Sequence, residues 1–403
     1  MQTTPRILYV FTGGRKVRLV AARRGEEAPM EFLFGVTYLQ RRGYDVDLLE
    51  LTDLSPDQHS QAYTALVRQN TQMQQATGFT GSSHYFLGAI DLLNQYDAII
   101  ACGESVALGL SHFIRQGKVR PSMFLMAMGM LLHSAARTRH ERRIQAFIGW
   151  LKESYKVLVR GRDRKRRRIY RDLLESSAAG VYFERSEYEI ARHMCSGLVS
   201  KMHLWVAPVD TEFWRPGPGT NMEQDVILFM GNDRERDFDL VIEIAKRLPH
   251  RRFVFVTDRI QQDQIPQNVS LRRGDWKKQL LSDLEVREIV QNCAVVVLPF
   301  KAGALRTLTS VALQAMACGK TVLVSKTSGC WEPEFIDRQH VWFIHSGKLD
   351  EWCESIETLM RDSAARARIG ADARDLVEGT NNVTVLGQNV EALLTQSLQV
   401  AVL

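Results

Sequence analysis

The sequence predicts an α/β protein built from two doubly wound domains, and three observations support this. Short apolar runs rich in β-branched residues alternate with amphipathic runs along both halves of the chain, as strands and helices of parallel sheets do. The length of 403 residues exceeds the size at which one hydrophobic core keeps growing. Residues 205–220 contain three prolines and two glycines, which favours a rigid linker. We therefore predict a first domain over residues 1–205, a linker over 206–222, a second domain over 223–380 and a C-terminal segment over 381–403.

The composition is that of an ordinary globular protein, with 45% hydrophobic and 24% charged residues. No apolar run approaches the roughly 18 residues that span a bilayer. The run Ile7–Phe11 is too short for the apolar core of an export signal. Six cysteines occur without a CxxC pair, which indicates reduced thiols. We therefore expect a cytoplasmic protein.

Residues 293–329 form the most informative stretch. A buried strand over 294–298 leads into a polar loop, a helical run over 311–318 and a second buried strand over 321–325. The free N–H groups at a helix N-terminus favour an anion such as a diphosphate. The candidate diphosphate ligands are the cations and hydroxyls ahead of this helix, Lys301, Arg306, Thr307, Thr309 and Ser310. Gln314, one turn inside the helix, could reach a sugar hydroxyl. The alternative is an ordinary βαβ unit whose hydroxyls only cap the helix.

The first domain also places candidate residues after its predicted strands, at the sheet edge where α/β proteins bind ligands. Gly13 and Gly14 follow the first strand, Glu104 follows the strand over 97–101, and His133 follows the strand over 122–128. After Gly14 we predict a long basic loop over residues 15–29 and a helix over residues 31–42 that ends at Gly43. Glu104 could instead only occupy the favoured first turn of a helix, and a lone histidine is often structural. Asp45 and Asp47 alternate within a strand interior, so we expect no metal site there.

Residues 136–171 form the most basic region of the chain. Such a cluster can contact anionic lipid, nucleic acid or only solvent. Neither an RNA-binding aromatic motif nor zinc-ligand spacing accompanies it. We therefore favour a membrane surface or an acidic substrate over nucleic acid, with a solvated helix face as the alternative.

The second domain begins with a predicted strand over 226–230 and a polar loop over 231–236. A further loop, over 272–276, follows the strand over 269–271. A doubly wound domain with an anion-binding loop indicates a cleft enzyme that acts on a phosphorylated ligand.

Three stretches carry a resemblance to a known family. They are Pro208-Val-Asp-Thr-Glu-Phe213 with Pro216, Phe229-Met-Gly231 followed by Arg236-Asp-Phe-Asp-Leu240, and Leu313-Gln-Ala-Met-Ala-Cys-Gly-Lys-Thr-Val322. The chain resembles a GT-B glycosyltransferase, and residues 205–330 are similar to family 4, also called group 1. The resemblance implies the α/β GT-B fold, in which two doubly wound Rossmann-like domains face each other across a cleft. It also implies that residues 381–403 include a helix that crosses back to the N-terminal domain.

The chain is a divergent member by this resemblance, because the paired glutamates of the family fall at Arg306 and Gln314. Glutamine can still bond a ribose hydroxyl, and arginine could pair with phosphate instead. Asn232 stands at the arginine position of the first phosphate loop. Arg236 falls at the lysine position after one deletion.

The resemblance implies transfer of a sugar from a nucleoside diphosphate sugar to an acceptor hydroxyl, with retention and without a metal or other cofactor. This would serve the synthesis of a cell-surface polysaccharide, glycolipid or other glycoconjugate. The implied diphosphate contacts include Gly231, Asn232 and Arg236, and the implied nucleoside contacts are Gly274, Asp275, Trp276 and Gln314. The acceptor is a glycan, a lipid-linked molecule or a small molecule, and it enters near Gly13 and Gly14. Glu104 or His133 would supply the base of an inverting reaction.

Two other functions stay open at this point. A GT-B epimerase would change the sugar of a nucleotide sugar without an acceptor. A non-catalytic scaffold would bind a sugar nucleotide and change nothing, which the two missing glutamates favour. For a transferase we expect a location in the cytoplasm, with peripheral contact at the inner face of the membrane through the basic region.

Overall fold

The computed structural model describes residues 4–132, 152–217, 225–275, 280–304, 310–327, 334–345 and 347–400. The chain divides into two compact units. The first unit comprises Met1–Lys16, Gly35–Trp205 and Gly387–Leu403, and the second comprises Val17–Phe34 and Val206–Leu386. Residues 17–34 therefore group with the second unit, whereas the sequence placed them in the first domain.

The first unit contains a six-stranded sheet in which every pairing of neighbouring strands is parallel. Its strands are β1 (Arg6–Phe11), β2 (Asp45–Glu50), β3 (Ala98–Cys102), β4 (Ser122–Met126), β5 (Ala179–Tyr182) and β6 (Met202–Leu204), in the spatial order β2-β1-β3-β4-β5-β6. Every residue of β3 and β5 is buried, as expected for a sheet covered on both faces.

Helices of the first unit pack around this sheet. Those in the described part of the unit are Val36–Arg41, Gln61–Thr77, Ile90–Leu93, Glu104–Ile114, Lys152–Glu175 and Arg185–Met194. A last helix, Val383–Val400, belongs to this unit from Gly387 onward. Ser60 caps the longer of the early helices by accepting a hydrogen bond from the Tyr63 amide, and Gly78 ends that helix at a left-handed φ of 80°.

The second unit contains another six-stranded parallel sheet. Its strands are β7 (Val226–Met230), β8 (Arg252–Val256), β9 (Val269–Arg272), β10 (Val295–Leu298), β11 (Thr321–Lys326) and β12 (Trp342–His345), in the spatial order β12-β11-β10-β7-β8-β9. Its helices in the described residues are Lys16–Arg23, Phe238–Arg247, Asp283–Gln291, Ser310–Ala317, Leu349–Arg361 and Ser363–Thr380.

Each sheet has one point at which its strand order reverses. In the first sheet β1 lies between β2 and β3, and in the second β7 lies between β8 and β10. At such a point the loops that follow the two adjacent strands run to opposite faces of the sheet. A crevice therefore opens between these loops at the carboxyl ends of the strands, and α/β proteins bind ligands there.

Residues 17–34 differ from their predicted structure. The predicted loop over residues 15–29 begins instead with the helix Lys16–Arg23. The predicted helix over residues 31–42 is a short 3-10 turn, Glu31–Leu33, followed by a break and the helix Val36–Arg41. Phe34 and Gly35 cause the break, because both adopt left-handed backbone conformations with φ of 49° and 95°. Glu31 is thereby separated from the helix that the sequence predicted for it.

Among the residues that the structure describes, no helix is both long enough and apolar enough to cross a bilayer.

Candidate functional site

The loops that follow β7 and β10 meet at the strand-order reversal of the second sheet. Arg236 and Phe300 form an antiparallel bridge, and the amide of Asp237 donates to the Pro299 carbonyl at 2.9 Å. The amide of Lys301 donates to the Glu235 carbonyl at 2.9 Å. The structure thus brings two separately predicted phosphate loops, one after β7 and one after β10, to one crevice.

Arg236 is the central cation of this crevice, but its side chain is only 1% exposed. Its Nε donates to Asp233 Oδ2 at 2.7 Å, and its Cζ lies 4.6 Å from the centroid of the Phe300 ring. A Cβ at Gly231 would lie 2.9 Å from Arg236 Nε, so a larger residue there would have to displace the guanidinium. Nη1 is buried and finds no hydrogen-bond partner within the described parts of the chain. The predicted phosphate ligand is therefore an enclosed guanidinium with one unused donor.

Asn232 joins three loops at the same edge of the sheet. Its Oδ1 accepts from Thr257 Oγ1 at 2.9 Å and from the Asp258 amide at 2.8 Å, while its Nδ2 donates to the Gly274 carbonyl at 2.5 Å. Both polar atoms of the amide thus bond to the loops after β8 and β9, and the phosphate contact of Asn232 stays a prediction. Gly274 is also sterically required, since a Cβ there would lie 2.5 Å from Val256 Cγ1.

A buried carboxylate that the sequence did not single out lies beside Gln314. Glu31 is 4% exposed, and its Oε1 accepts from Trp214 Nε1 at 2.7 Å and from Gln314 Nε2 at 3.1 Å. Oε2 is buried and has no partner among the residues that the structure describes. Burial, with a smaller contribution from the charge of Asp210, raises the pKa of Glu31 to about 7. No sequence signal marks Glu31, because it lies in an apparently helical run.

Asp210 belongs to the predicted interdomain motif and organises the chain around it. Its Oδ1 accepts from the amides of Glu212 and Phe213, at 3.1 and 3.0 Å. Its Oδ2 accepts from the Met30 amide at 2.9 Å. Asp210 thus closes a turn and also holds the residue that precedes Glu31.

The other residues predicted for the donor site are exposed, half-buried or outside the described residues. Lys301 is exposed, with Nζ 3.3 Å from the Arg234 carbonyl, and Ser310 is the exposed first residue of its helix. Asp275 is half-buried beside Gly274. Arg306, Thr307, Thr309 and Trp276 lie outside the described residues, as does His133 of the first unit.

In the first unit, Gly13 and Gly14 follow β1 at its strand-order reversal, with φ of 151° and 77°. Glu104 follows β3 at the same reversal but is only 3% exposed. Its Oε2 and Oε1 accept from the amides of Met128 and Met130 at 3.0 and 2.9 Å. The predicted acid/base role of Glu104 does not fit this geometry, because both carboxylate oxygens bind main-chain amides. Its position instead matches that of a residue that fixes the segment after β4.

The basic region is partly described. In the helix Lys152–Glu175, the side chains from residue 161 onward present a cationic face to solvent. The exposed cations are Arg164, Lys165, Arg167, Arg168 and Arg171. Arg166 points inward instead, and its Nε donates to the Thr77 carbonyl at 2.7 Å. The basic residues over 136–151 lie outside the described part of the chain.

The described residues contain no group of three or more histidine, cysteine, aspartate or glutamate side chains that could hold a metal ion.

Comparisons with known proteins identify the fold and the class. Residues 224–362 match the family model of the group 1 glycosyl transferases. No curated protein sequence matches the chain significantly.

Among solved structures, HepE of Anabaena, in complex with UDP-glucose, is 14% identical to the chain, with a TM-score of 0.63, over 97% of this chain and 100% of the other. Sucrose-phosphate synthase of Thermosynechococcus elongatus is 12% identical, with a TM-score of 0.62, over 97% and 98%. A glycosyltransferase of Rickettsia africae is 11% identical, with a TM-score of 0.61, over 98% of each chain.

These findings confirm two predictions made from the sequence. Two parallel six-stranded sheets with flanking helices, matched over almost the whole chain, give the protein the α/β GT-B fold. The family match across most of the second unit, together with this fold, makes the protein a glycosyltransferase.

Proposed function

We propose that the protein transfers a sugar from a nucleoside diphosphate sugar to an acceptor hydroxyl, with retention and without a metal ion. The observation that carries the proposal is the meeting of the β7 and β10 loops at the strand-order reversal, around the enclosed Arg236 guanidinium. That crevice lies within the residues that match group 1 glycosyl transferases. HepE, which shares the fold, was solved with UDP-glucose and with UDP.

The donor diphosphate would bind at the N-terminus of the helix Ser310–Ala317, where free N–H groups favour an anion. Lys301 is exposed on the preceding loop and can add a cation. Arg236 Nη1 can satisfy its unused bond with a phosphate oxygen once the crevice opens. Fixed positive charge then stabilises the leaving diphosphate as the glycosidic bond breaks. Arg306, Thr307 and Thr309 complete the proposed set.

The nucleoside would lie beside the loop that contains Gly274, Asp275 and Trp276, with Gln314 near its ribose. This placement is supported by Asn232, which bonds to the Gly274 carbonyl and so fixes that loop against the phosphate crevice.

The acceptor would bind to the first unit near Gly13 and Gly14. His133 would supply the base only in an inverting reaction, which is the alternative to the proposed retention. The exposed cations of the helix Lys152–Glu175 support peripheral contact with an anionic membrane, worth about 1 kcal/mol per cation near the surface. The products would then be lipid-linked or surface glycoconjugates.

A thermal-shift series tests donor binding directly. UDP, GDP, ADP, TDP and CMP are each added to the purified protein, with and without EDTA, and the melting temperature is recorded. We expect a shift with one nucleoside diphosphate that EDTA leaves unchanged, because a ligand that binds only the folded state stabilises it. A nucleotide at 100 times its Kd stabilises by about 2.7 kcal/mol.

Matched lysine variants locate the site. Lys301→Ala should weaken nucleotide binding about tenfold, since a charge-assisted hydrogen bond is lost. Lys246→Ala removes another exposed lysine, which pairs with Glu243 on the helix Phe238–Arg247, and this variant should bind like the wild type. If no nucleotide shifts the melting temperature, or if both variants behave alike, the proposed donor site is wrong.

Turnover separates a transferase from other sugar-nucleotide proteins. Incubation of the donor with candidate acceptors should release the nucleoside diphosphate together with a glycosylated product. An epimerase would change the sugar without an acceptor, and a scaffold would bind the donor without consuming it.

A further inference from the structure

The segment over residues 17–34 is anchored to the second unit by several charged contacts. Arg18, 2% exposed, donates from Nη2 and Nε to the two carboxylate oxygens of Asp283, at 2.7 and 2.8 Å. Glu27 accepts from Arg215 and Arg287, each at 2.6 Å. These contacts hold the segment in place, and Glu31 near its end contacts Gln314 of the helix Ser310–Ala317.

The carboxylate of Glu31 is held at an energetic cost. One of its oxygens is buried without a partner in the described chain, and the nearby charge of Asp210 repels it. Unsatisfied buried oxygens and like charges destabilise a folded protein. Stabilisation of the fold therefore does not explain why a glutamate occupies position 31.

The orientation of Gln314 follows from this carboxylate. An ionised carboxylate can only accept hydrogen bonds, so the Gln314 amide must turn its nitrogen toward Glu31 Oε1, as the 3.1 Å contact shows. The amide oxygen is then the atom that remains to accept from a ligand. A protonated carboxyl can also donate, so protonation would allow the amide to present either atom.

We propose that Glu31 is a positioning residue of the donor site, which fixes the Gln314 amide so that its oxygen accepts a hydrogen bond from a ribose hydroxyl of the donor. The inference rests on the proposed function, because it assigns a role within the same nucleotide site. It places the required carboxylate on a segment from the N-terminal part of the chain, 283 residues away from Gln314.

The protonation of Glu31 adds a pH dependence. The charged group that acts on Glu31 is Asp210, while its hydrogen-bonding neighbours Trp214 and Gln314 are neutral. Because the pKa of Glu31 is raised to about 7, the carboxylate is mostly ionised at pH 8 and mostly protonated at pH 6, so the fixed orientation of Gln314 weakens over this range.

The test compares ribose recognition in wild type, Glu31→Gln, Gln314→Ala and the double variant. UDP, GDP, ADP and TDP are titrated beside the analogues that lack both ribose hydroxyls, at pH 6 and pH 8. For the nucleotide that binds, we expect wild type to prefer the ribose form by about tenfold at pH 8 and less at pH 6. Glu31→Gln should lose this pH dependence and most of the preference. In the Gln314→Ala background it should have no further effect, since Glu31 acts through Gln314.

Glu26→Gln is the matched control, because it makes the same substitution on the same segment at an exposed side chain that does not anchor the segment. It should keep both the ribose preference and its pH dependence. A folded Glu31→Gln variant that behaves like wild type would overturn the inference and leave the proposed function intact. If Glu31→Gln does not fold, a wild-type preference that is equal at pH 6 and pH 8 overturns the inference instead. A wild type that binds none of the nucleotides overturns the proposed function and this inference with it.

Discussion

Glu31 and Gln314 share a 3.1 Å hydrogen bond inside the second unit, although 283 residues separate them along the chain. The resemblance to family 4 implies that a glutamate of that family falls at the position of Gln314, and in this chain the carboxylate of Glu31 lies directly against that residue. A carboxylate is therefore present beside Gln314, at a position that no local motif reveals.

The pH dependence of stability should report the burial of Glu31. The pKa of Glu31 is raised from 4.5 to about 7, so the folded state binds the proton more tightly than the unfolded state. This contribution to the free energy of unfolding is complete below pH 4.5 and is lost as the pH rises through about 7. Such a shift corresponds to roughly 3 kcal/mol. Glu31→Gln should therefore gain stability relative to wild type between pH 5 and pH 8, as measured by urea unfolding.

Glu27→Gln should show the opposite sign in the same experiment. Its arginine partners lower the pKa of Glu27, so its contribution is present at neutral pH and is lost as the pH falls through the lowered pKa. An equal pH dependence in all three proteins would contradict the assignment of the buried charge to Glu31.

Gly231→Ala should destabilise the protein more than Gly347→Ala. Both glycines have positive φ, 144° and 75°, so both substitutions strain the backbone by about 1 kcal/mol or more. At Gly231 the new methyl group also meets the Arg236 guanidinium, whereas at Gly347 no atom lies within 4 Å. Thermal unfolding measures the difference, and nucleotide affinity should fall only in Gly231→Ala. Equal losses of stability would show that the guanidinium can move aside freely.

Glu104→Gln and Glu187→Gln should have similar effects on stability and on kcat. Glu187 accepts from the amides of Gly129 and Leu131, as Glu104 accepts from those of Met128 and Met130. Each substitution replaces one accepting oxygen by a nitrogen that faces an amide donor, which costs about 1–3 kcal/mol. We expect similar losses of stability and, where the variants are folded, similar kcat values. A much larger loss of kcat in Glu104→Gln alone would restore the catalytic role predicted from the sequence.

Arg18→Ala should release the segment over residues 17–34. Its guanidinium is buried and forms a bidentate pair with the partly exposed carboxylate of Asp283, and loss of a hydrogen bond between charged groups costs about 1.5–3 kcal/mol. Limited proteolysis should then cleave the chain near residues 24–29 faster than in wild type. Arg247→Ala, which breaks an exposed pair with Asp350, should leave the cleavage rate unchanged. If both variants are cleaved alike, the pair between Arg18 and Asp283 does not hold the segment.

The sequence by itself determined the alternation of strands and helices, the α/β class and the resemblance to glycosyltransferases. These features depend on neighbours along the chain, since β-branched runs, helix periodicity and motif spacing are local properties. The strand over residues 295–298 and the helix Ser310–Ala317 could be predicted for this reason.

Only the tertiary structure decided which side chains meet. Residues 17–34 group with the second unit. The side-chain amide of Asn232 joins loops, and both carboxylate oxygens of Glu104 accept hydrogen bonds from main-chain amides. The partners of these side chains lie far away in sequence. Whether a polar atom is satisfied depends on how distant segments pack, and no local pattern encodes that. The carboxylate of Glu31 becomes part of the candidate site only when the folded chain brings it to Gln314.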